Sequence, residues 1–128
     1  MTKYAIEIKS NLESAIANLQ AAKEALERGQ YDLAASRASE AAFYTGSALL
    51  LDEEIETSRH GDVITLIHQI FVNGRRLTKE QGENLTWLFT LRNVVTPGVS
   101  MPVSPAEAQK AVEVAESFFE ATKVILEA

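Results

Sequence analysis

One arginine of this chain falls on the apolar side of a helix. In LTKEQGENLTWLFTLRNVV, residues 77–95, Leu85, Leu88 and Phe89 define an inward direction, and 100° per residue sets Arg92 between them. A guanidinium turned toward a core has to be paired or wet, because an unpaired buried charge is strongly destabilising. Glu40, Asp52 and Glu107 are the candidate partners. Three roles follow from such an arginine. It snorkels past the helix end, it closes a structural ion pair, or it forms an anion site. In the anion site Arg92, the loop 96–103 and the free amides opening the last helix would hold a phosphate. Pro105 removes one of those amides and Glu107 competes for the rest.

The other reactive side chains form no recognised constellation. His60 and His68 are eight residues apart, which on a continuous helix is roughly 12 Å, too far for one metal ion. Surface or capping roles suit both. Ser36, Ser39 and Ser47 lack a His and Asp arranged as a nucleophile's partners and fit better as small packing residues. The six glycines are scattered, so no loop cradles a phosphate. Arg75, Arg76 and Lys79 make the one basic cluster, a solvated linker where an acidic partner or an RNA backbone would also touch. With no cysteine there is neither a disulfide nor a thiolate zinc site. The expectation is no metal and no cofactor.

Composition narrows the class. The 128 residues fit one domain, 1–128, with a core large enough to fold without cross-links. A net charge of −6 opposes nonspecific attraction to nucleic acid or anionic membrane. No apolar run approaches the roughly 20 residues of a membrane span. Glu7 and Lys9 interrupt the opening MTKYAIEIKSN before a signal-peptide core can form. A soluble cytoplasmic protein is expected.

Five helices must position these groups. The stretch 31–51, YDLAASRASEAAFYTGSALLL, is the organising one: Ala34, Ala38, Ala41, Thr45 and Ala48 share a line, flanked by Ala35, Ala42 and Gly46. Helices approach such a face closely, and a helix apolar over most of its circumference belongs in the middle of a bundle. Its polar arc is Ser36, Arg37, Glu40 and Ser47, with Tyr44 alongside. Before it, a helix over 3–28 carries Ile8, Leu12, Ile16, Leu19, Ala22 or Lys23, and Leu26, ends at a Gly29 cap, and forms an antiparallel hairpin with the central helix. A third helix is expected over 61–72, stopped by Asn73 and Gly74. Thr78 and Gln81 make a capping box for a fourth, which Pro97 ends. Ser104, Pro105 and Glu107 open the last, whose stripe is Ala108, Ala111, Val112, Ala115, Phe118, Phe119, Thr122, Ile125 and Leu126. The fold class is all-α, an up-and-down bundle of about five helices. Trp87, Leu91 and Val94 form a second apolar face on the fourth helix, and Phe43 and Leu50 lie behind the main seam. Either a second copy of the chain covers these residues, making a homodimer, or the bundle does.

The order of segments resembles the HEPN domain family of small helical bundles. AASRASEAAFYTGSALLLDE is similar to the family's second helix in its alanines, Arg37, the pair Phe43 and Tyr44, and the run Ala48, Leu49, Leu50. His60 leading the third helix, IFVNGRRLTKE, LRN at 91–93, and SPAEAQKAVEVAESF after a proline-bearing connector extend the likeness to the C-terminus. Many HEPN proteins are metal-independent ribonucleases with an arginine, four to six residues, then a histidine, and two such motifs meet across a dimer. Arg92 and Asn93 match the first half, whereas Pro97, Gly98 and Val99 occupy the histidine positions. The usual proton transfer at the ribose 2′-hydroxyl and the leaving oxygen then has no obvious agent. The resemblance therefore implies a dimeric binding or regulatory module for a nucleotide, or the partner of a minimal nucleotidyltransferase, with a polar site of Arg92, Asn93, Arg37, Glu40 and Tyr44. The alternatives are a toxin-type RNA endonuclease using Arg92 and Asn93, with His60 as a candidate helper, and a structural helical adaptor.

Overall fold

The computed structural model describes residues 3–57, 59–94 and 102–127, with side chains throughout except at 92–94. It is an all-α bundle of five helices with no strand among the described residues: α1 (Ala5–Glu27), α2 (Tyr31–Asp52), α3 (His60–Ile67), α4 (Lys79–Val94) and α5 (Pro105–Glu127). A π-helical turn, His68–Val72, continues α3.

α2 packs against all four other helices, most extensively α1 and α5. Its small residues explain this, since Ala34, Ala35, Ala38, Ala41, Ala42, Thr45, Gly46 and Ala48 are all buried. A Cβ added at Gly46 would lie 2.8 Å from Val63 Cγ1, so the glycine is what lets α3 sit this close. Leu50 is fully buried and Leu91 nearly so, which means the bundle itself covers these two residues. Trp87 is half-buried, with the Lys110 ammonium 4.2 Å from its ring centre. Val94 lies outside the described side chains.

The stripe of α1 departs from the expected one. Ile16 is 53 % exposed, and Ala15 faces the core in its place, followed by Leu19, Ala22 and Ala25. Where two helices meet over alanines the smaller side chain takes the closest approach. Of the alternatives Ala22 and Lys23, Ala22 is buried, and Lys23 is exposed and forms an ion pair with Glu116 on α5.

Three helix ends close in the same way, with paired amide-to-carbonyl bonds and a left-handed residue just past the helix. Gly29 (φ 74°) does so after α1, where Gln30 N–H donates to the Ala25 carbonyl at 2.9 Å. Glu54 (φ 60°) does so after α2, and Arg75 (φ 63°) after the π-helical turn. The helical segment stops at Val72 as expected, but the left-handed residue that closes it is Arg75 rather than Gly74. Gly74 serves a different need, since a Cβ there would lie 2.3 Å from the Ile70 carbonyl oxygen. Arg76, the next residue, stacks its guanidinium on Phe71 and pairs with Glu53.

Both capping boxes form. Thr78 and Gln81 exchange bonds of 2.7 and 3.0 Å, and Ser104 and Glu107 exchange bonds of 3.0 and 3.1 Å. Asp32 accepts the Val103 amide at 2.8 Å and ties the approach to α5 onto the first turn of α2.

The third helix was expected to be continuous, and the π-helical turn has a packing reason. Val63, Ile67 and Phe71 are buried at steps of four, which drift by about 40° per step on a regular helix. A widened turn, closed by Asn73 N–H to the His68 carbonyl at 3.0 Å, returns Phe71 to the core.

Candidate functional site: a histidine and a carboxylate on the edge of the central helix

Glu40 and Phe43 lie one turn apart on α2, and His60 opens α3 directly against them. His60 Nε2 stands 3.6 Å from Glu40 Oε1, and its ring stacks on Phe43 with 3.8 Å between centres and 18° between planes. Tyr44 meets Phe43 edge-on at 5.7 Å. The His60 side chain is 38 % exposed and the Glu40 side chain 24 %. The imidazole is therefore fixed on one face by an aromatic ring and at one edge by a carboxylate, with its Nε2 and the facing Glu40 Oε1 both buried although the ring as a whole is partly exposed. The contact with Glu40 is an ion pair when the ring is protonated.

The expected site residues divide. Glu40 and Tyr44 belong to this cluster. Arg37 is exposed and turned toward α1, its Nη1 3.5 Å from Asn18 Oδ1, and is not brought to Glu40. Arg92 and Asn93 occupy the last turn of α4, and their side chains lie outside the described residues. The direction of α4 is nevertheless fixed. A Cβ at Gly82 would touch His68 and Val72 at 2.8 and 2.9 Å, and His68 Nε2 is 2.9 Å from Thr86 Oγ1. α4 thus runs antiparallel to α3 and the π-helical turn. From Thr86 to Arg92 is about 9 Å along one axis and from His68 back to His60 about 12 Å along the other, so the backbone carrying Arg92 and Asn93 heads for the end of α3 that His60 opens.

His68 plays a different part. Thr86 Oγ1 donates to the Gly82 carbonyl at 3.1 Å, so its hydroxyl accepts from His68 Nε2–H. That bond clamps the π-helical turn to α4.

At the start of α5 the anion reading meets occupied groups. The Ser104 and Glu107 amides are bound by each other's side chains, and hydrogen bonds from Ser104 hold the Glu107 carboxyl below its ordinary value of 4.5. Glu107 is thereby engaged in its cap. Loop residues 95–101 lie outside the described residues.

Sequence reasoning gave His60 a surface or capping role and named it only as a candidate helper in the endonuclease alternative, without placing it against Glu40. A signal was present, because stepping back from Ile67 and Val63 by one helical interval reaches residue 60 and extends the inward stripe to the imidazole. Among the described residues no three His, Asp or Glu side chains gather to hold a metal ion, and no helix is long and apolar enough to cross a membrane.

A sequence profile of the HEPN domain matches residues 8–125. The chain belongs to the HEPN domain family. Two relatives of this HEPN domain come from Methanocaldococcus jannaschii. One, named "Putative toxin MJ0605", is 32 % identical over 120 residues, which is 94 % of this chain and 89 % of that protein. The other, named "Putative toxin MJ0142", is 26 % identical over 124 residues, 97 % of this chain and 84 % of that protein. The polar edge of α2 that carries Glu40 and the arginine-bearing end of α4 both fall within the matched region.

Proposed function

We propose that this HEPN domain is a toxin-type protein that acts on RNA, with His60, Glu40 and the Arg92 end of α4 as its polar site. The observation that carries the reading is the Glu40 and His60 pair at 3.6 Å, clamped on Phe43. Departure from the arginine-to-histidine spacing removes the imidazole from the Arg92 connector, and His60 supplies one from α3. The names of the two relatives point the same way.

Cleavage then needs no metal. The ribose 2′-oxygen attacks the adjacent phosphorus as a base removes its proton, the bond from phosphorus to the 5′-oxygen breaks, and an acid protonates that oxygen. A 2′,3′-cyclic phosphate and a 5′-hydroxyl result. His60 exchanges the proton, Glu40 orients the imidazole, and Arg92 offsets charge on the phosphoryl oxygens. A homodimer would bring two imidazoles together, one as base and one as acid.

Purified protein is incubated with total RNA beside His60→Ala and Arg92→Ala. Wild type should produce cyclic-phosphate ends, and each variant should lose on the order of 10²-fold in rate, with unchanged circular dichroism. Equal cleavage by wild type and His60→Ala, or no cleavage by any of them, overturns the reading.

A binding role without cleavage, as a regulatory module or the partner of a minimal nucleotidyltransferase, is favoured by Pro97, Gly98 and Val99 at the histidine positions. It predicts a nucleotide-dependent rise in melting temperature that Arg92→Ala abolishes.

A further inference from the structure

Phe43 has a second neighbour besides His60. With Ser47 and Leu51, spaced by four on α2, it floors a groove of about 580 Å³. One wall is the start of α1, Glu7 and Asn11, and the other is Glu56 and Thr57 of the segment before α3. The floor runs about 12 Å from Phe43 to Leu51. Its polar member is already committed, since Ser47 Oγ donates to the Phe43 carbonyl at 2.9 Å. Each wall contributes one exposed carboxylate, and neither Glu7 nor Glu56 has an ion-pair partner among the described residues. No Lys or Arg appears among the described residues that line the groove.

We propose that this groove is a docking site for a basic, apolar-flanked peptide segment of a partner protein. The two carboxylates would receive a guanidinium or ammonium group, and Phe43 and Leu51 would receive the aliphatic residues beside it. Charge complementarity selects this occupant. Carboxylates on both walls repel RNA phosphates, and they leave a cation-binding concavity on a chain whose net charge is already −6. The length of the floor matches three or four residues of extended chain. Because Phe43 also carries the His60 ring, an occupant presses on the residue that positions the imidazole, so docking here would bear on the Glu40 and His60 pair.

The test pans a phage library of random 12-residue peptides on the full chain, in parallel with Glu7→Gln/Glu56→Gln and with Glu113→Gln/Glu120→Gln, a control of equal charge on α5. Circular dichroism confirms that all three fold alike. Wild type and control should enrich peptides with Arg or Lys between aliphatic residues, and synthetic versions should bind the groove variant at least tenfold more weakly. Failure to enrich basic over acidic sequences, or equal loss in control and groove variants, overturns the proposal. So does an RNA oligonucleotide whose binding is lost in the groove variant alone, which would make RNA the occupant. A dimer that only the groove variant dissolves, by sedimentation, would overturn it in favour of a second copy.

Discussion

Gly46→Ala tests whether close approach at the small-residue face of α2 sets the packing. Two opposing effects can be weighed. In mid-helix, alanine is favoured over glycine by about 1 kcal/mol. Against that, the new Cβ would lie 2.8 Å from Val63 Cγ1, with Ile67 Cδ1 at 3.6 Å and Phe118 Cε2 at 3.8 Å in ordinary contact. Val63 is β-branched on the short helix α3 and 1 % exposed, so its methyl cannot swing into open space. Overpacking of this kind costs roughly 1–3 kcal/mol. A net destabilisation of about 1 kcal/mol is expected, which lowers the melting temperature by about 4 °C. The decisive comparison is the same substitution in a Val63→Ala background. There the colliding methyl is gone and the added Cβ fills vacated space, so Gly46→Ala should become stabilising by about 1 kcal/mol. Urea unfolding of the four proteins gives a coupling of about 2 kcal/mol between the sites. If Gly46→Ala stabilises the wild-type chain, or destabilises both backgrounds equally, close approach of α3 is not why this position is glycine.

Two further perturbations probe helix ends. Glu54 holds a left-handed conformation after α2 that glycine adopts freely, so Glu54→Gly should raise stability by about 1 kcal/mol in urea unfolding. A loss instead would mean that its side chain outweighs the strain. Glu107 has a lowered pKa because Ser104 donates hydrogen bonds to its charged form. A depressed carboxyl contributes its stability fully above the ordinary value of 4.5 and loses it as pH falls through the folded-state value. Wild type should therefore exceed Glu107→Gln in stability at pH 7, and the difference should close on acidification toward pH 3. A gap that persists unchanged across that range would show that the charge is irrelevant to the cap.

Much of the bundle was legible because its signals are local. Thr78 with Gln81, and Ser104 with Glu107, announce helix starts through bonds spanning three residues, and the alanine line of α2 announces a buried helix through periodicity alone. Errors arose where tertiary packing chose among acceptable local solutions. Ile16 satisfies the pattern of α1 as well as Ala15 does, and only the alanine surface opposite makes the smaller residue the inward one. Gly74 is an obvious terminator by type, yet the left-handed residue is Arg75, which is followed by the stacking of Arg76 on Phe71. No local rule anticipates the π-helical turn, because it reconciles steps of four in α3 with a core reached at 3.6 residues per turn.

The site was legible only as an imbalance. Arg92 on an apolar face and Glu40 on the edge of an alanine helix are each anomalous in sequence, and both mark places where charge must be managed. The ring that stands beside Glu40 in the structure is that of His60, 20 residues on in sequence, at the start of a helix that begins one residue earlier than the expected 61–72. The family resemblance implies a histidine in the connector after Arg92, where Pro97, Gly98 and Val99 stand instead. In the function proposed above, His60 on α3 takes that place. α3 and α4 run antiparallel, so the last turn of α4 heads for the end of the bundle at which His60 opens α3. Phe43 links that end to the groove, since its ring holds His60 on one side and floors the acidic groove on the other. Phe43→Leu should accordingly disturb both the imidazole and peptide docking, whereas His60→Ala should disturb the first alone.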